Sequence, residues 1–218
     1  MSFFRKADMI DAEHALAGRQ SYEFAVPRLH YVTQRPIQPP FPEGTEQIVL
    51  GMGCFWGGEE IFWQIPGVYT TAVGYAGGYT AHPAYEEVCS GRTGHAEVVL
   101  VVFDPEQVSL HELLATFFES HDPTQGYRQG NDVGTQYRSA IYYTDPSQRA
   151  EVEQATAEYS EHLQRQGFDA VTTEIAPLGD FYYAEDHHQQ YLAKNPDGYR
   201  CHAATGVKFP RNSLADPA

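Results

Sequence analysis

Hydrophobic residues are distributed in two different ways along this chain, with the change at about residue 46. Before that point they show little periodicity, and the segment 35–42, with the sequence RPIQPPFP, is too rich in proline to continue a helix. We therefore predict that residues 1–45 form an N-terminal extension, an arm that either wraps around the surface or trails from it. After residue 46 the pattern becomes regular.

Two kinds of regular pattern follow the arm. Runs of apolar, β-branched and aromatic residues predict strands at 46–52, 67–75, 95–103, 137–144 and 171–175. Apolar residues at helical spacing, or a capped polar segment, predict helices at 58–65, 110–120, 146–166 and 184–192. The helix 146–166 is polar enough to be a solvated outer helix. The tail from residue 199 has no periodicity, and we expect it to be irregular and mobile.

The order of these elements predicts the fold class. Between residues 46 and 145 it is β-α-β-β-α-β, the order of a ferredoxin-like unit with a sheet on one side and helices on the other. We therefore predict an α+β two-layer sandwich with a ferredoxin-like core, an extra outer helix and an irregular C-terminal tail. With 218 residues the chain is long enough for one generous domain, so we place a catalytic domain at 46–218, of which 198–218 is the mobile tail.

Charge and cysteine usage narrow the class of protein. With 29 acidic against 14 basic residues the formal charge is −15, which opposes binding to nucleic acid or to an anionic membrane surface. The N-terminus lacks an apolar signal core, and no run approaches the roughly 20 apolar residues of a membrane span. Three cysteines at unrelated spacings argue against a secreted disulfide framework. We expect a soluble, monomeric, cytoplasmic protein with catalytic or redox thiols.

The candidate reactive residue is Cys54, in the segment GMGCFWGGEE at 51–60. An apolar run precedes it and a helical pattern follows, so the cysteine is expected at a strand-to-helix turn. Unpaired N–H groups and the dipole at the start of a helix favour a thiolate, and the flanking glycines let a substrate approach the main chain. The alternative is a small buried cysteine beside a core Phe and Trp. Four glycines around it favour the reactive thiol.

A second candidate is Glu97, which is followed by the apolar residues 98–102 of the predicted strand 95–103. Desolvation there would raise its pKa, and a carboxylic acid that stays protonated near neutral pH can donate a proton. By spacing alone, a hydrated carboxylate or a pair with Arg92 is equally compatible. The phenols of Tyr85 and Tyr137 can donate hydrogen bonds without adding charge, and Tyr137 follows an unusually polar, glycine-rich loop.

The sequence gives less evidence for a functional role of the remaining thiols and histidines. Cys89 is expected to be a small buried residue, whereas Cys201 stands in the tail and could move to meet another sulfur. The pairs His187-His188 and Cys201-His202 lack the spacing of zinc ligands. We therefore expect neither a metal nor a cofactor.

Five motifs together closely resemble the A-type peptide methionine sulfoxide reductases. The resemblance runs in order from about residue 46 to 199. The motifs are GCFWG at 53–57, GYAGG at 74–78, GHAE at 94–97, QGND with GTQYRS at 129–139, and YAEDHHQQY at 183–191. The resemblance implies reduction of methionine S-sulfoxide, free or in proteins, and hence a role in the repair of oxidised proteins.

The resemblance also implies roles for the residues already singled out. Cys54 would attack the sulfoxide sulfur and become a sulfenic acid, Glu97 would protonate the oxygen, and Tyr85 and Tyr137 would hydrogen-bond that oxygen as charge develops. The same resemblance gives substrate contacts: an apolar wall against the S-methyl group and a residue that positions the rest of the site. These are Phe55 and Trp56 for the wall and Asp132 for positioning.

The resemblance further implies how the sulfenic acid is resolved. A second cysteine would condense with it to a disulfide, which an external dithiol, by similarity thioredoxin, would reduce. Many members of the family carry two recycling cysteines in a glycine-rich tail, whereas this tail has only Cys201, with Lys208 near the place of a second. The pair implied here is Cys54 with Cys201. A glutaredoxin-like protein or a small thiol could replace thioredoxin.

Two other functions use the same residues. A cysteine hydrolase would pair Cys54 with His95 as base and Glu97, and would form an acyl intermediate. A non-enzymatic protein that recognises oxidised methionine would use the aromatic residues and turn nothing over. The hydrolase gives Cys201 no role.

Overall fold

The computed structural model describes residues 8–201 and 203–210. Within them the main elements, in chain order, are β1 (Glu46–Met52), α1 (Phe55–Trp63), β2 (Val68–Ala76), α2 (Tyr85–Cys89), β3 (Ala96–Phe103), α3 (Leu110–Glu119), β4 (Arg128–Gln129), β5 (Asp132–Val133), β6 (Ser139–Tyr143), α4 (Arg149–Arg165), β7 (Glu174–Pro177), β8 (Tyr182–Tyr183) and α5 (Tyr191–Lys194). Short 3-10 helices at Thr135–Tyr137 and Pro146–Gln148 precede β6 and α4. None of the helices described is long and apolar enough to cross a bilayer.

Six of these strands form one mixed sheet, in the order β7-β6-β1-β3-β2-β8. All neighbours run antiparallel except β6 and β7, which are parallel. The central strands β1 and β3 are almost wholly buried, because both of their faces are covered. The protein is therefore of the α+β class.

One face of the sheet is covered by helices. Apolar side chains of α1, α3 and α4 pack against β1, β2, β3 and β6 in a single cluster. The outer helix α4 buries Val152, Ala155, Tyr159 and Leu163, so one stripe of it belongs to the core although most of its surface is polar. Phe209 of the tail joins the same cluster and stacks on Tyr159 at 5.6 Å between ring centroids.

The other face of the sheet is covered by the N-terminal arm. Ile37 is fully buried there among alternate residues of the central strands, with Val26 and Phe41 packed alongside. The carbonyl of Ile37 accepts a hydrogen bond from the hydroxyl of Tyr183 at 2.9 Å. The arm thus wraps around the surface and supplies a layer of the core. The sequence did not predict this layer, because a single isoleucine in a proline-rich segment has no periodicity.

Two further contacts tie the arm to the elements around Cys54. Arg19 forms a salt bridge with Glu87 of α2. His30 Nδ1 accepts two backbone N–H groups, so its Nε2 carries the proton and donates to Thr71 Oγ1 at 3.0 Å. The Thr71 hydroxyl donates in turn to the carboxylate of Glu59 on α1, also at 3.0 Å. The arm therefore helps to support both α1 and α2.

Most predicted elements agree with the structure to within a few residues, but the predicted helix 184–192 was wrong. Only 191–194 is helical there, and the preceding residues form turns. Gln190 adopts the left-handed conformation (φ 47°), and the side chain of Gln189 bonds both backbone groups of Val73, at 3.0 and 2.8 Å. Side-chain bonds to the edge of β2 thus replaced helix formation. The short α2 was not predicted at all.

Replacing Ile37 with Ala tests whether the arm is part of the core. We expect the free energy of unfolding to fall by about 2–5 kcal/mol, because a fully buried aliphatic side chain leaves a cavity. Leu29→Ala, at an arm position that is 49% exposed, is the matched control and should cost less than about 1 kcal/mol. Urea unfolding followed by circular dichroism measures both. Equal, small losses would show that the arm merely lies on the surface.

Candidate active site

Cys54 lies at the turn that joins β1 to α1, as the sequence predicted. It occupies the N-cap position of α1, and no side chain caps the helix there. The preceding Gly53 has φ of 94°, and a Cβ at that position would lie 2.6 Å from the side chain of Gln129. The turn is therefore tight and packed against the loop that follows α3.

The predicted thiolate was wrong for this geometry. The Trp56 N–H does lower the pKa of Cys54, as expected at a helix start. Burial raises that pKa more strongly, however, and the nearby Glu97 carboxyl raises it further. The thiol is only 9% exposed, so desolvation outweighs the helix terminus. Cys54 is consequently a neutral thiol in the free protein.

Of the two environments that the sequence left open for Glu97, the structure shows the desolvated one, in which the pKa is raised. It lies on β3 with 1% of its surface exposed, and burial raises its pKa to about 8. One carboxyl oxygen, Oε2, accepts the backbone N–H of Phe55 at 3.1 Å. No group among the described residues pairs with the other, Oε1. At neutral pH the residue is therefore mainly a protonated acid beside the turn that carries Cys54.

The two predicted phenols lie close to this acid. Tyr85 begins α2, and its ring stacks on Phe55 with 6.5 Å between centroids. Tyr137 ends a 3-10 helix rather than lying on a strand, because β6 begins two residues later. Burial and the nearby Glu97 raise the pKa of both hydroxyls, which therefore stay protonated and can donate hydrogen bonds.

An aromatic cluster lies behind Cys54. Phe55 is 1% exposed and backs the cluster, so the half-buried Trp56 presents the more accessible surface. Trp56 stacks on Tyr191 at 3.9 Å and donates its indole N–H to Nδ1 of His188 at 3.1 Å. His188 also packs against Tyr85 at 4.4 Å, and burial lowers its pKa to about 4, so it is neutral.

Sequence reasoning missed His188 and Tyr191 as parts of this cluster. His188 was considered only as a metal ligand. The described residues contain no group of three His, Cys, Asp or Glu side chains placed to hold a metal ion. The available signal was the position of both residues inside the motif at 183–191. Their spacing alone did not show that they would face Trp56.

The C-terminal tail contacts Asp132 and brings Cys201 to the site. Tyr199 donates its hydroxyl to the carboxylate of Asp132 at 3.1 Å. Cys201, two residues further on, lies in the same cavity of about 380 Å³ as Cys54. We call this space the interthiol cavity. It is lined by Met52, Cys54, Gly57, Gly58, Glu60, Ile61, Ser120, Arg200, Cys201 and Ala204. All three cysteines are free thiols.

The structure corrects the prediction for Cys89 and excludes His95 as a base for Cys54. Cys89 was expected to be buried, but it is exposed at the end of α2, where its thiol interacts with the Tyr85 hydroxyl. His95 binds the loop after β2 with both ring nitrogens: Nδ1 accepts from the N–H of Gly78 at 3.0 Å and Nε2 donates to the carbonyl of Thr80 at 2.7 Å. It has no nitrogen free to act as a base for Cys54, as the hydrolase would require.

Two free thiols on one cavity, with a buried acid and two phenols beside one of them, define a thiol-dependent oxidoreductase. Residues 46–214 match the model of the family described as peptide methionine sulfoxide reductase. The chain belongs to this family.

Similar proteins cover almost the whole chain. The protein named peptide methionine sulfoxide reductase MsrA from Brucella ovis is 56% identical over 96% of this chain and 98% of its own length. The protein of the same name from Azotobacter vinelandii is 60% identical over 92% of each chain. The solved methionine sulfoxide reductase A of Corynebacterium diphtheriae is 47% identical, with a TM-score of 0.84 over 94% of this chain and all of that one.

Alkylation of the free protein tests the charge state of Cys54. With iodoacetamide near pH 7, we expect Cys54 to react at least about tenfold more slowly than the exposed Cys89, because its thiolate is disfavoured and its sulfur is shielded. Peptide mapping by mass spectrometry measures both rates. Unfolding in urea should make the two rates similar, which controls for sequence effects. If Cys54 reacts fastest in the folded protein, the raised pKa is refuted.

Proposed function

We propose that this protein reduces methionine S-sulfoxide to methionine through a sulfenic acid on Cys54, with the resulting oxidation passed to Cys201 as a disulfide. The substrate is free or protein-bound methionine sulfoxide, and repair of oxidised proteins is the corresponding role. The choice of the S epimer follows from family membership, because no distance in the site bears on chirality.

The observation that carries this proposal is the state of Glu97. It is a buried acid with one oxygen fixed by Phe55 and the other unpaired, next to the turn that holds the nucleophile. A sulfoxide oxygen is a strong hydrogen-bond acceptor, and a protonated carboxyl is the donor that would make its sulfur electrophilic. Tyr85 and Tyr137 add two neutral donors. A site for an acyl substrate would need a free base instead.

The first step balances without an external reductant. Cys54 Sγ attacks the sulfoxide sulfur while Glu97 protonates its oxygen; the bond between that sulfur and oxygen then breaks, methionine leaves and the oxygen ends on Sγ as the hydroxyl of the sulfenic acid. The substrate sulfur gains two electrons and Cys54 loses two. Glu97 gives its proton to the oxygen and takes up the proton that the Cys54 thiol releases. The neutral thiol suits this exchange, because a Glu97 that has donated its proton is a carboxylate able to accept one. Trp56 and Phe55 would enclose the S-methyl group, and Asp132 would position the substrate.

The second step uses the interthiol cavity. The thiol of Cys201 attacks the sulfenic sulfur of Cys54, an S–S bond forms, and the hydroxyl leaves with the thiol proton as water. A protein dithiol, for which thioredoxin is our candidate, then reduces the disulfide by exchange. A glutaredoxin-like protein or a small thiol stays an alternative, because the tail carries one cysteine.

The predictions about topology, domain bounds, location, oligomeric state and cofactor also remain proposals. The strand order β6-β1-β3-β2, with antiparallel neighbours throughout, supports the ferredoxin-like description of the core. The predicted mobile tail, 198–218, is packed against the helical core at Phe209, and its residues 202 and 211–218 lie outside the described residues. The catalytic domain at 46–218, the cytoplasmic location and the monomeric state are retained as predictions. So is the absence of a cofactor. A protein that only recognises oxidised methionine would bind the substrate without reducing it. Incubation of a methyl-sulfoxide peptide with the protein and excess dithiothreitol would then give no methionine.

Cysteine variants separate the two steps. Cys54→Ser should abolish methionine formation, because the nucleophile is lost. Cys201→Ser should form one equivalent of methionine and stop with a sulfenic acid on Cys54, which dimedone labelling and mass spectrometry detect. Cys89→Ser is the matched control and should keep the complete cycle. Continuous thioredoxin-driven turnover by Cys201→Ser would show that another thiol resolves the intermediate.

The acid role of Glu97 predicts a pH dependence. Because the protonated carboxyl is the active form and its pKa is about 8, the single-turnover rate should fall as pH rises through 8. Glu97→Gln should lower the rate on the order of 100-fold or more and remove that alkaline decline. Rapid-quench measurement of methionine between pH 6 and 10 tests both. An unchanged rate in the variant would remove the assigned role.

A further inference from the structure

The segment that carries Cys201 is attached to the protein on both sides of the thiol. On the far side, Tyr159 donates its hydroxyl to the carbonyl of Val207 at 2.9 Å, and Glu119 accepts the N–H of Phe209 at 2.8 Å. Phe209 is buried in the helical core. On the near side, the main attachment is a salt bridge between Arg200, directly before Cys201, and Glu60.

The salt bridge between Arg200 and Glu60 is bidentate. Arg200 Nε donates to Glu60 Oε2 and its Nη2 donates to Oε1, both at 2.7 Å. The remaining guanidinium nitrogen, Nη1 of Arg200, donates to the carbonyls of Pro196 and Gly198, at 2.8 and 3.3 Å. The two side chains are only 30% and 24% exposed. A bidentate, partly shielded pair fixes orientation better than a single exposed contact.

Glu60 belongs to α1, the same helix that begins at Cys54. The attacked sulfur and the carboxylate that holds the neighbour of the attacking sulfur are therefore parts of one rigid element. The Cys201 thiol also lies 3.5 Å from the carbonyl of Gln129, whose side chain packs against Gly53. Both contacts attach the segment of Cys201 to elements that adjoin Cys54, with which it shares the interthiol cavity.

From this geometry we propose that Glu60 is a positioning residue for the resolving cysteine, and that its pair with Arg200 holds Cys201 within reach of the Cys54 sulfenic acid. This inference rests on the proposed function, from which it takes the disulfide step. In that step the S–O bond of the sulfenic acid breaks, an S–S bond forms and water leaves. Glu60 takes no part in the chemistry. It lowers the conformational freedom that the tail must lose before the sulfurs meet.

The test measures methionine formation and disulfide formation separately in one protein. Glu60→Gln and Arg200→Met are each mixed with one equivalent of methyl-sulfoxide peptide, without reductant. Rapid quenching gives the methionine burst, and peptide mapping gives the Cys54–Cys201 disulfide. We expect the burst to stay within about twofold of the unmodified protein, and disulfide formation to slow about fivefold or more. Dimedone capture of Cys54 should rise correspondingly. The burst also reports that each variant is folded.

The double variant identifies the pair as the cause. Glu60→Gln combined with Arg200→Met should be no slower than Arg200→Met alone, because that single change already breaks the contact with Glu60 as well as the bonds to Pro196 and Gly198. Additive slowing, or an unchanged disulfide rate in both single variants, would overturn the proposal. Glu153→Gln, which removes the exposed pair between Arg149 and Glu153 on α4, is the matched control and should leave the disulfide rate unchanged.

A second oxidant separates this inference from the proposed function. Hydrogen peroxide converts a cysteine thiol to a sulfenic acid and water, so formation of the Cys54–Cys201 disulfide can be followed without any sulfoxide, in a Cys89→Ser background that removes the exposed competing thiol. If methyl-sulfoxide peptide gives no methionine but the peroxide-driven disulfide is slowed by Glu60→Gln, the proposed function fails and the positioning role stands. If methionine forms normally and the disulfide rate is the same in all variants, the proposed function stands and the positioning role fails.

Discussion

The hydrogen bond from the Phe55 N–H to Glu97 connects the parts of this site to one another. It joins the first residue of α1 to the middle strand of the sheet, and it takes the place of a side-chain cap at Cys54. It also fixes one oxygen of an acid that the sheet and helix keep out of water. Cys54 and Glu97 are therefore held together by the helix start, and Tyr85 stacks on Phe55 beside them.

At the start of α1, burial raises the pKa of Cys54, whereas the helix terminus lowers it. The favourable end of a helix dipole is worth at most about 2 kcal/mol, whereas removing a charged group from water costs more. Cys54 and Glu97 both respond by remaining neutral. A site of two neutral groups tolerates an uncharged sulfoxide more readily than a charged pair would.

The sequence pattern predicted those features that depend only on residues adjacent in the chain. The strand, the glycine-rich turn and the desolvation of Glu97 follow from residues adjacent in sequence, so the turn at Cys54 was predicted correctly, and the raised pKa of Glu97 was one of the two environments that the sequence left open. The thiolate was not, because its cost depends on how deeply the turn is packed. His188 and Ile37 escaped prediction because their partners lie far along the chain. The exposure of Cys89 depends on a short helix with no periodicity to reveal it.

The arm that covers the second face of the sheet also constrains the order in which the chain can fold. Its anchor at Ile37 is bonded to Tyr183, 146 residues later, so this contact can form only after most of the described chain has been synthesised. Until then an apolar sheet surface is open to water, a state that favours aggregation and slows folding through its long-range contacts. On a nascent chain this part of the sheet surface is therefore not fully covered until β8 has left the ribosome.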